Sequence, residues 1–587
     1  MFKIPLVAYW RLLRRYLVSQ RSVALWMALL LLANTAIGIV SPQVGRTFID
    51  AALAGEPLAF LTRLAVLALV VVLSRQVLSV LAQYWARRVA WTATNALRLD
   101  LVAHIVRLDL SFHKEHAPGE LIERIDGDVS ELGGFLSAFV IEVLGSLLFL
   151  VGILVAILIE DVMLGILFVV FSVLSMLFLS WVQRFAPPHW RAEREQNARY
   201  YGFVGETLTA TEDIRSSGAV EYVLRRILQH VRRWRPVALR ANLWGSVWMV
   251  GIVAYTVGAV LVRGIGGSMA LKGTMSLGTV YMLAVYLDML VWGPISALQY
   301  QVEELQHAQA GIVRVRELFQ TTSSLVEGMG DLPPGVPDVT YECVSFAYED
   351  GDQGTDPSES YVLHDLSFHL PAGRVLGLLG RTGSGKTTTA RLLYRFYDPQ
   401  LGAIRLNGVD LRACTLKSLR ARVGLVTQDV QLLHATLRDN LTFYDTQLSD
   451  DDLLETLRTL GLAQWLARLP AGLDTEISSG SLSAGEAQLV ALARLFLKDP
   501  SLVILDEASS RLDPATEVLL GRALDVLLEG RTAVIIAHRL ATVDRADDIL
   551  ILERGRAIEH GARLALTADP QATFARLLQT GIEEVLV

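Results

Sequence analysis

Apolar residues are unevenly distributed along this chain. Up to about residue 300 they gather into six runs, at 22–44, 64–84, 135–159, 162–182, 243–262 and 276–298. Helices of about 20 apolar residues span the hydrocarbon core of a bilayer. Only Glu160 and Asp161 divide the third run from the fourth, which predicts a tight hairpin. Long polar stretches of helical character divide the second from the third and the fourth from the fifth. After residue 337 the pattern changes to short runs of Val, Ile and Leu alternating with helix-period stretches, which predicts an α/β domain. Between the two lies 321–337 (TTSSLVEGMGDLPPGVP), a linker by its Gly, Pro and Ser content. The expected architecture is an α-helical polytopic membrane domain of six long transmembrane helices over 1–320, a linker over 321–337 and an α/β domain over 338–587.

Basic residues set the orientation. Lys3, Arg11, Arg14, Arg15 and Arg21 precede the first run, and Arg87, Arg88, Arg98 and Arg107 follow the second. Arg184, Arg191, Arg194, Arg225, Arg226, Arg232 and Arg233 lie between the fourth and fifth. The short connections at 46–63, 160–161 and 263–275 carry few, so both termini and both long connections are expected in the cytoplasm. The first run lacks a convincing small-residue cleavage site after it and is expected to remain as a helix. In the long connections, some 25 further helical residues would carry the helices about 35–40 Å beyond the bilayer. Their turning points are 112–128 (FHKEHAPGELIERIDGD) and 206–221 (ETLTATEDIRSSGAVE). These are expected to reach the α/β domain; solvated loops without a role are the plainer reading, but long structureless loops are uncommon. Charges within the runs are costly and face a cavity or a partner. They are Arg75, Glu142 and Asp288. Asp288 is expected to line a polar pathway, the alternative being a structural pair with Arg75 or an interfacial position.

Composition agrees with this division. Of 587 residues, 52% are hydrophobic and 19% charged, less charge than a soluble chain of this length carries. A net charge of −7 gives no support for nucleic-acid binding. Cys343 and Cys414, the two cysteines, form no metal motif and are expected as reduced cytosolic thiols. The acidic stretch 349–359 (EDGDQGTDPSE) reads as a surface loop without chemistry of its own.

The chemistry lies in the α/β part. Gly380-Arg381-Thr382-Gly383-Ser384-Gly385-Lys386-Thr387-Thr388 follows the apolar run 375–379 and opens a helix-period stretch, 388–396. A loop of this composition between strand and helix is a phosphate-binding loop. Its glycines let backbone N–H groups approach phosphate oxygens, Lys386 is expected to bridge the β- and γ-phosphates, and Thr387 to ligate Mg²⁺. ATP and Mg²⁺ are therefore the expected cofactors. A second apolar run, 502–505, ends in Asp506 and Glu507. Behind a phosphate loop, such acids hold Mg²⁺ through water (Asp506) and polarise the attacking water as general base (Glu507). A third run, 534–537, ends in His538. Alone it is an ordinary strand-end histidine; beside a phosphate site it can contact the γ-phosphate and sense hydrolysis.

With these motifs on one chain, the sequence resembles an ABC exporter half-transporter over nearly its whole length. The resemblance is carried by the phosphate loop, Gln428 in VGLVTQD, Leu482-Ser483-Ala484-Gly485-Glu486, LDEAS at 505–509, Ser510-Arg511-Leu512-Asp513, His538 and Tyr348 in VSFAY. GELIERIDGDV at 119–129 and the stretch at 206–221 resemble the family's two coupling segments. It implies a dimer in a lipid bilayer, each ATP held between the phosphate loop of one chain and the signature segment of the other. By resemblance, Tyr348 stacks on adenine, Gln428 reaches Mg²⁺ and the attacking water, Ser483 and Gly485 cap the partner's γ-phosphate, and Asp513 connects the two sites. The implied activity is ATP-driven export of an unidentified substrate by alternating access; with no recognisable eukaryotic targeting signal in the sequence, the expected location is a bacterial plasma membrane.

Two positions depart from the family pattern. The signature reads Leu-Ser-Ala-Gly-Glu where the family has Leu-Ser-Gly-Gly-Gln, and Arg511 stands where alanine is usual. Ala484 adds a methyl group near phosphate, and Glu486 would set a carboxylate against a polyanion. Because this chain's own set of motif residues is complete, the departures favour a heterodimer with one degenerate site. A homodimeric lipid flippase or drug exporter is the alternative. Another is an ATP-gated membrane sensor, against which Glu507 and His538 argue. An importer is disfavoured by the fusion of membrane and ATPase parts.

Overall fold

The computed structural model describes residues 14–16, 18, 20–183, 186–245, 247–295, 297, 310–348, 361–478, 480–506, 514–537 and 543–580. The acidic stretch 349–359, Glu507, Arg511, Asp513 and His538 lie outside these residues. Two compact units are formed, one of Met1–Arg107 and Ala117–Thr321, the other of Leu108–His116 and Thr322–Val587.

The first unit is helical. Its opening pair, Arg21–Leu53 and Leu58–Ile105, runs to 33 and 48 residues. At 1.5 Å per residue the second is about 72 Å long. It stays helical well past its apolar run because small and branched residues keep a buried stripe, Ala82, Ala86, Ala90, Ala93, Leu97 and Leu101. Among the described residues, five helices are long and apolar enough to cross a membrane: Arg21–Leu53, Leu58–Ile105, Glu142–Glu160, Ile252–Leu271 and Leu277–Pro294. The expected fourth span falls in Val162–Gln183, whose described apolar part, Val162–Phe178, is shorter. The predicted hairpin is present: Gly145–Glu160 ends at Asp161, whose carboxylate accepts from Leu164 N at 2.9 Å and caps the next helix. Nearby, Arg46 pairs with Glu160, and Asp50 accepts from Ser276 Oγ and Gly278 N at 2.8 and 2.9 Å. Gly278 permits this approach, since a Cβ there would lie 2.5 Å from Arg46 O. Arg75 lies over the Phe149 ring at 5.4 Å, and Asp288 is exposed. The second turning point holds a short helix, Thr211–Ser216, between Ala186–Thr209 and Val220–Gly245.

The second unit is built on two sheets. Its strands are β1 (Val339–Phe346), β2 (Leu363–Leu370), β3 (Val375–Leu379), β4 (Leu401–Leu406), β5 (Val409–Asp410), β6 (Val423–Val426), β7 (Ala435–Thr436), β8 (Glu476–Ile477), β9 (Leu502–Asp506), β10 (Thr532–Ile536), β11 (Asp548–Glu553) and β12 (Arg556–Ala562). An antiparallel sheet has the order β2-β1-β4-β5 and a larger one β12-β11-β3-β10-β9-β6, while β7 and β8 form a separate pair. In the larger sheet β11, β3, β10, β9 and β6 run parallel, with β12 antiparallel at the edge. Every residue of β3, β9 and β10 is buried. That is why these strands read as continuous apolar runs rather than alternating ones. One core packs between the sheets around Tyr341, Leu366, Leu376 and Ile504; a second gathers helix residues such as Leu492 and Leu524 against Val503 and Ile535.

The stretch that composition marks as a linker is laid along this unit. Gly330 exchanges backbone hydrogen bonds with Ala413 and Thr415, and Leu332 N donates to Ser418 Oγ at 3.0 Å. Arg395, almost fully buried, donates to Val326 O at 2.7 Å and Cys414 O at 3.1 Å while pairing with Asp398. Cys414 is buried and Cys343 exposed, and both are free thiols.

The piece Leu108–His116 belongs here too. It carries the helix Leu110–Glu115, capped by Asp109 through Phe112 N at 3.2 Å. Asp109 also accepts from Ser111 Oγ, from Ser323 Oγ, and from the amide and hydroxyl of Ser324. Burial alone would raise its pKa, but these hydrogen bonds prevail and hold it at about 2. Being below the ordinary value of about 3.9, this pKa stabilises the fold above pH ~4, and the contribution fades as pH falls toward 2. Asp109→Ala is expected to cost about 1–2 kcal/mol. It should also raise hydrogen exchange at the Phe112 and Ser324 amides; unchanged exchange at both would refute the clamp.

Candidate functional site

Four strands of the larger sheet bring the phosphate loop, Asp506 and Gln428 to their carboxyl ends. In β3, β10 and β9, Leu378 pairs with Ile536 and Ile536 with Asp506, while Val426 of β6 pairs with Leu505. The phosphate loop follows β3, Asp506 ends β9, and Gln428 stands exposed just beyond β6. The segment leading to His538 follows β10. Ligands of open parallel sheets gather at such carboxyl ends.

The loop 380–385 has the backbone this position demands. Gly380, Gly383 and Gly385 have φ of 145°, 81° and 104°, values that side-chain-bearing residues rarely adopt. A Cβ on Gly380 would meet Leu552 O at 2.3 Å, and one on Gly385 would meet Leu363 Cδ2 at 2.5 Å. The helix Lys386–Leu393 starts immediately after Gly385, so its free N–H groups and dipole open onto the loop. The Lys386 ammonium is buried and donates to Gly380 O at 2.6 Å and Arg381 O at 3.1 Å, curling the loop around itself. Thr387 Oγ1 lies 3.5 Å from Asp506 Oδ1, bringing together the two groups expected to share a cation. Ser384 Oγ is buried with no hydrogen-bond partner among the described residues. An unpaired buried hydroxyl is costly, and a phosphate oxygen would complete it. The residues present therefore fit a nucleotide phosphate chain with a divalent cation.

Tyr348 follows β1, and its hydroxyl lies 3.1 Å from Thr388 Oγ1 on the loop's helix. Phe346 and Tyr397 hold the ring edge to face at 4.9 and 5.3 Å. Lys114 Nζ, from Leu110–Glu115, stands 4.6 Å above the ring. Sequence reasoning missed Lys114 because a lysine in a helix carries no mark of a partner more than two hundred positions away. Asp109 carried a local signal, an acid three residues before Phe112 at a helix start.

Ser483 and Gly485 open the helix Ala484–Lys498 and, among the described residues, make no hydrogen bond to the chain's own phosphate loop. Ser483 and Ala484 are exposed and Gly485 is buried. Glu486 is held by its own chain. Its Oε2 accepts from Ser483 N at 2.9 Å, its Oε1 from Trp465 Nε1 at 3.0 Å, and Ser483 Oγ accepts from Glu486 N at 3.2 Å. Both carboxylate oxygens are thus engaged within the chain. Trp465 went unnoticed in the sequence, where nothing ties it to a residue 21 positions on.

Comparison with known proteins agrees with this geometry. Residues 363–510 match a family model described as ABC transporter, and 25–293 one described as ABC transporter transmembrane region. The chain is 31% identical over 484 residues to a fatty acid ABC transporter ATP-binding/permease protein of Mycobacterium tuberculosis (strain CDC 1551 / Oshkosh), covering 80% of this chain and 74% of that one. It is 27% identical over 567 residues to an ATP-dependent lipid A-core flippase of Colwellia psychrerythraea, covering 93% and 92%. Among solved structures it is similar to a bacterial Atm1-family ABC exporter with ATP bound, with a TM-score of 0.76 and 25% identity over 95% of this chain and 98% of that one.

Proposed function

Because the chain belongs to the ABC transporter family, as an exporter with membrane and ATPase parts on one polypeptide, we infer that it works as one half of a dimer that exports a substrate by alternating access. The observation that carries this reading is the convergence of Lys386, Thr387, Asp506 and the unpaired Ser384 hydroxyl at one sheet edge. In the proposed mechanism Gly380, Gly383, Ser384 and Gly385 cradle the phosphates, and Lys386 turns from its carbonyls to the β- and γ-oxygens. Thr387, Asp506 and Gln428 would hold Mg²⁺, which supplies charge neutralisation at the phosphates when bound. Glu507 takes the proton of the attacking water, His538 contacts the γ-phosphate, and Tyr348 offers its ring to adenine. Ser483 and Gly485 close over the ATP of the partner chain, with Asp513 linking the two sites. Closure draws the ATPase parts together, and hydrolysis releases them. Both termini and the ATPase part face the cytoplasm at a plasma membrane.

The relatives differ in what they are named for, fatty acid in one and lipid A-core in another, so the cargo is tested directly. ATP turnover by the protein in a lipid bilayer should rise with at least one of a fatty acid, a glycolipid or a cationic dye. Lys386-dependent turnover that none of them stimulates would favour an ATP-gated membrane protein instead.

Ala484, exposed at the start of its helix, favours a second reading, a heterodimer whose other chain supplies the usual signature. Native mass spectrometry of the complex from its own membranes separates the two. Twice 64.6 kDa means a homodimer; a second chain with an intact signature and a replaced catalytic glutamate means the asymmetric pair.

A further inference from the structure

Glu486 stands where the family pattern has glutamine, and its surroundings explain the exchange. Trp465, on the short helix Ala463–Leu466, is only 6% exposed and packs in the core beneath Ala484–Lys498. Its indole N–H donates to Glu486 Oε1, and the Ser483 amide donates to Glu486 Oε2. We propose that Glu486 and Trp465 form a matched pair that positions Ser483, the carboxylate serving as a double acceptor and not as a group aimed at phosphate. The inference rests on the reading of Ser483 as the cap over the partner chain's ATP.

An ionised carboxylate accepts through both oxygens, whereas glutamine has one oxygen and an NH₂ that only donates. Trp465 Nε1 and Ser483 N are both donors, so glutamine would leave one of them facing another donor. The indole is too enclosed to turn to water, and an unpaired buried donor is expensive. The carboxylate also sits in the first turn of a 15-residue helix, where negative charge is favourable. The reciprocal capping box fixes Ser483 at φ −64° and ψ 159°. Its Oγ accepts from Glu486 N, which leaves the O–H to donate outward from an exposed position. Glu486 is thus a positioning residue acting through Ser483. Trp465 is the reason a carboxylate is required.

The test uses the assembled transporter in lipid and the release of the imido analogue of ATP from the closed dimer. This readout follows the capping of nucleotide whether or not that site hydrolyses it. Glu486→Gln is expected to speed release about tenfold. Adding Trp465→Phe to that variant removes the surplus donor, lets the glutamine oxygen cap Ser483 N alone, and should restore slow release. Release from Glu486→Gln as slow as from the unaltered protein would overturn the proposal, and so would a double variant no slower than Glu486→Gln. If Glu486→Gln does not accumulate folded, recovery of folded protein with slow release in the double variant supports the pair, and failure of both overturns it. Lys386→Ala is the separate control. Analogue binding that survives it would count against the ATP site and leave the pairing of Glu486 with Trp465 to the rescue experiment.

Discussion

Lys386→Ala is expected to abolish useful nucleotide binding, weakening ATP affinity roughly 10²–10³-fold. The lysine has two tasks. Its buried ammonium donates to Gly380 O and Arg381 O, so it keeps the loop curled. With ATP present it would exchange those carbonyls for phosphate oxygens, each a charge-assisted bond stronger than the one given up. Alanine removes both, and Ser384 Oγ and the helix N-terminus then face a polyanion without a balancing positive charge. Equilibrium binding of a fluorescent ATP analogue measures this. An affinity equal to that of the unaltered protein would contradict the role given to Lys386.

Glu507→Gln should separate binding from chemistry. Glu507 follows Asp506 in sequence, and Asp506 is fixed by its pairing with Ile536 at the edge where the phosphate loop opens. Glutamine keeps the size of the side chain but cannot take a proton from water. Loss of a general base lowers turnover about 10²–10⁴-fold. Nucleotide affinity should be retained. In a homodimer nearly all hydrolysis disappears, and in an asymmetric pair the loss is as large because this chain would hold the active glutamate. Near-normal phosphate release from the variant would remove Glu507 from the mechanism.

Much of the fold was legible because strong local constraints wrote it into composition. Bilayer spans must be predominantly apolar over about 20 residues, and β3, β9 and β10 are buried on both faces, so each reads as a largely apolar run. The phosphate loop was legible for a different reason: positive φ at Gly380, Gly383 and Gly385 leaves little choice of residue. Contacts between distant positions left no such mark. Neither the stance of Lys114 over Tyr348 nor the grip of Asp109 on Ser324 follows from any local pattern. The stretch 321–337 shows composition alone falling short of its contacts. Its Gly and Pro residues suit a free connection, yet buried Arg395 and the backbone bonds at Gly330 fasten it down. The hold of Trp465 on Glu486 likewise leaves no mark in the sequence.

The second unit begins with Leu108–His116 and resumes only at Thr322. During synthesis, that short piece leaves the ribosome about 200 residues before the body it completes. Its helix is too short to be stable alone. Asp109 therefore lacks Ser323 and Ser324 until the whole intervening region has been made. Folding of the ATPase unit is in this sense tied to the order in which the chain is made, its first piece waiting for its last. The same discontinuity means that an ATPase fragment beginning at residue 322 is born without part of its own surface.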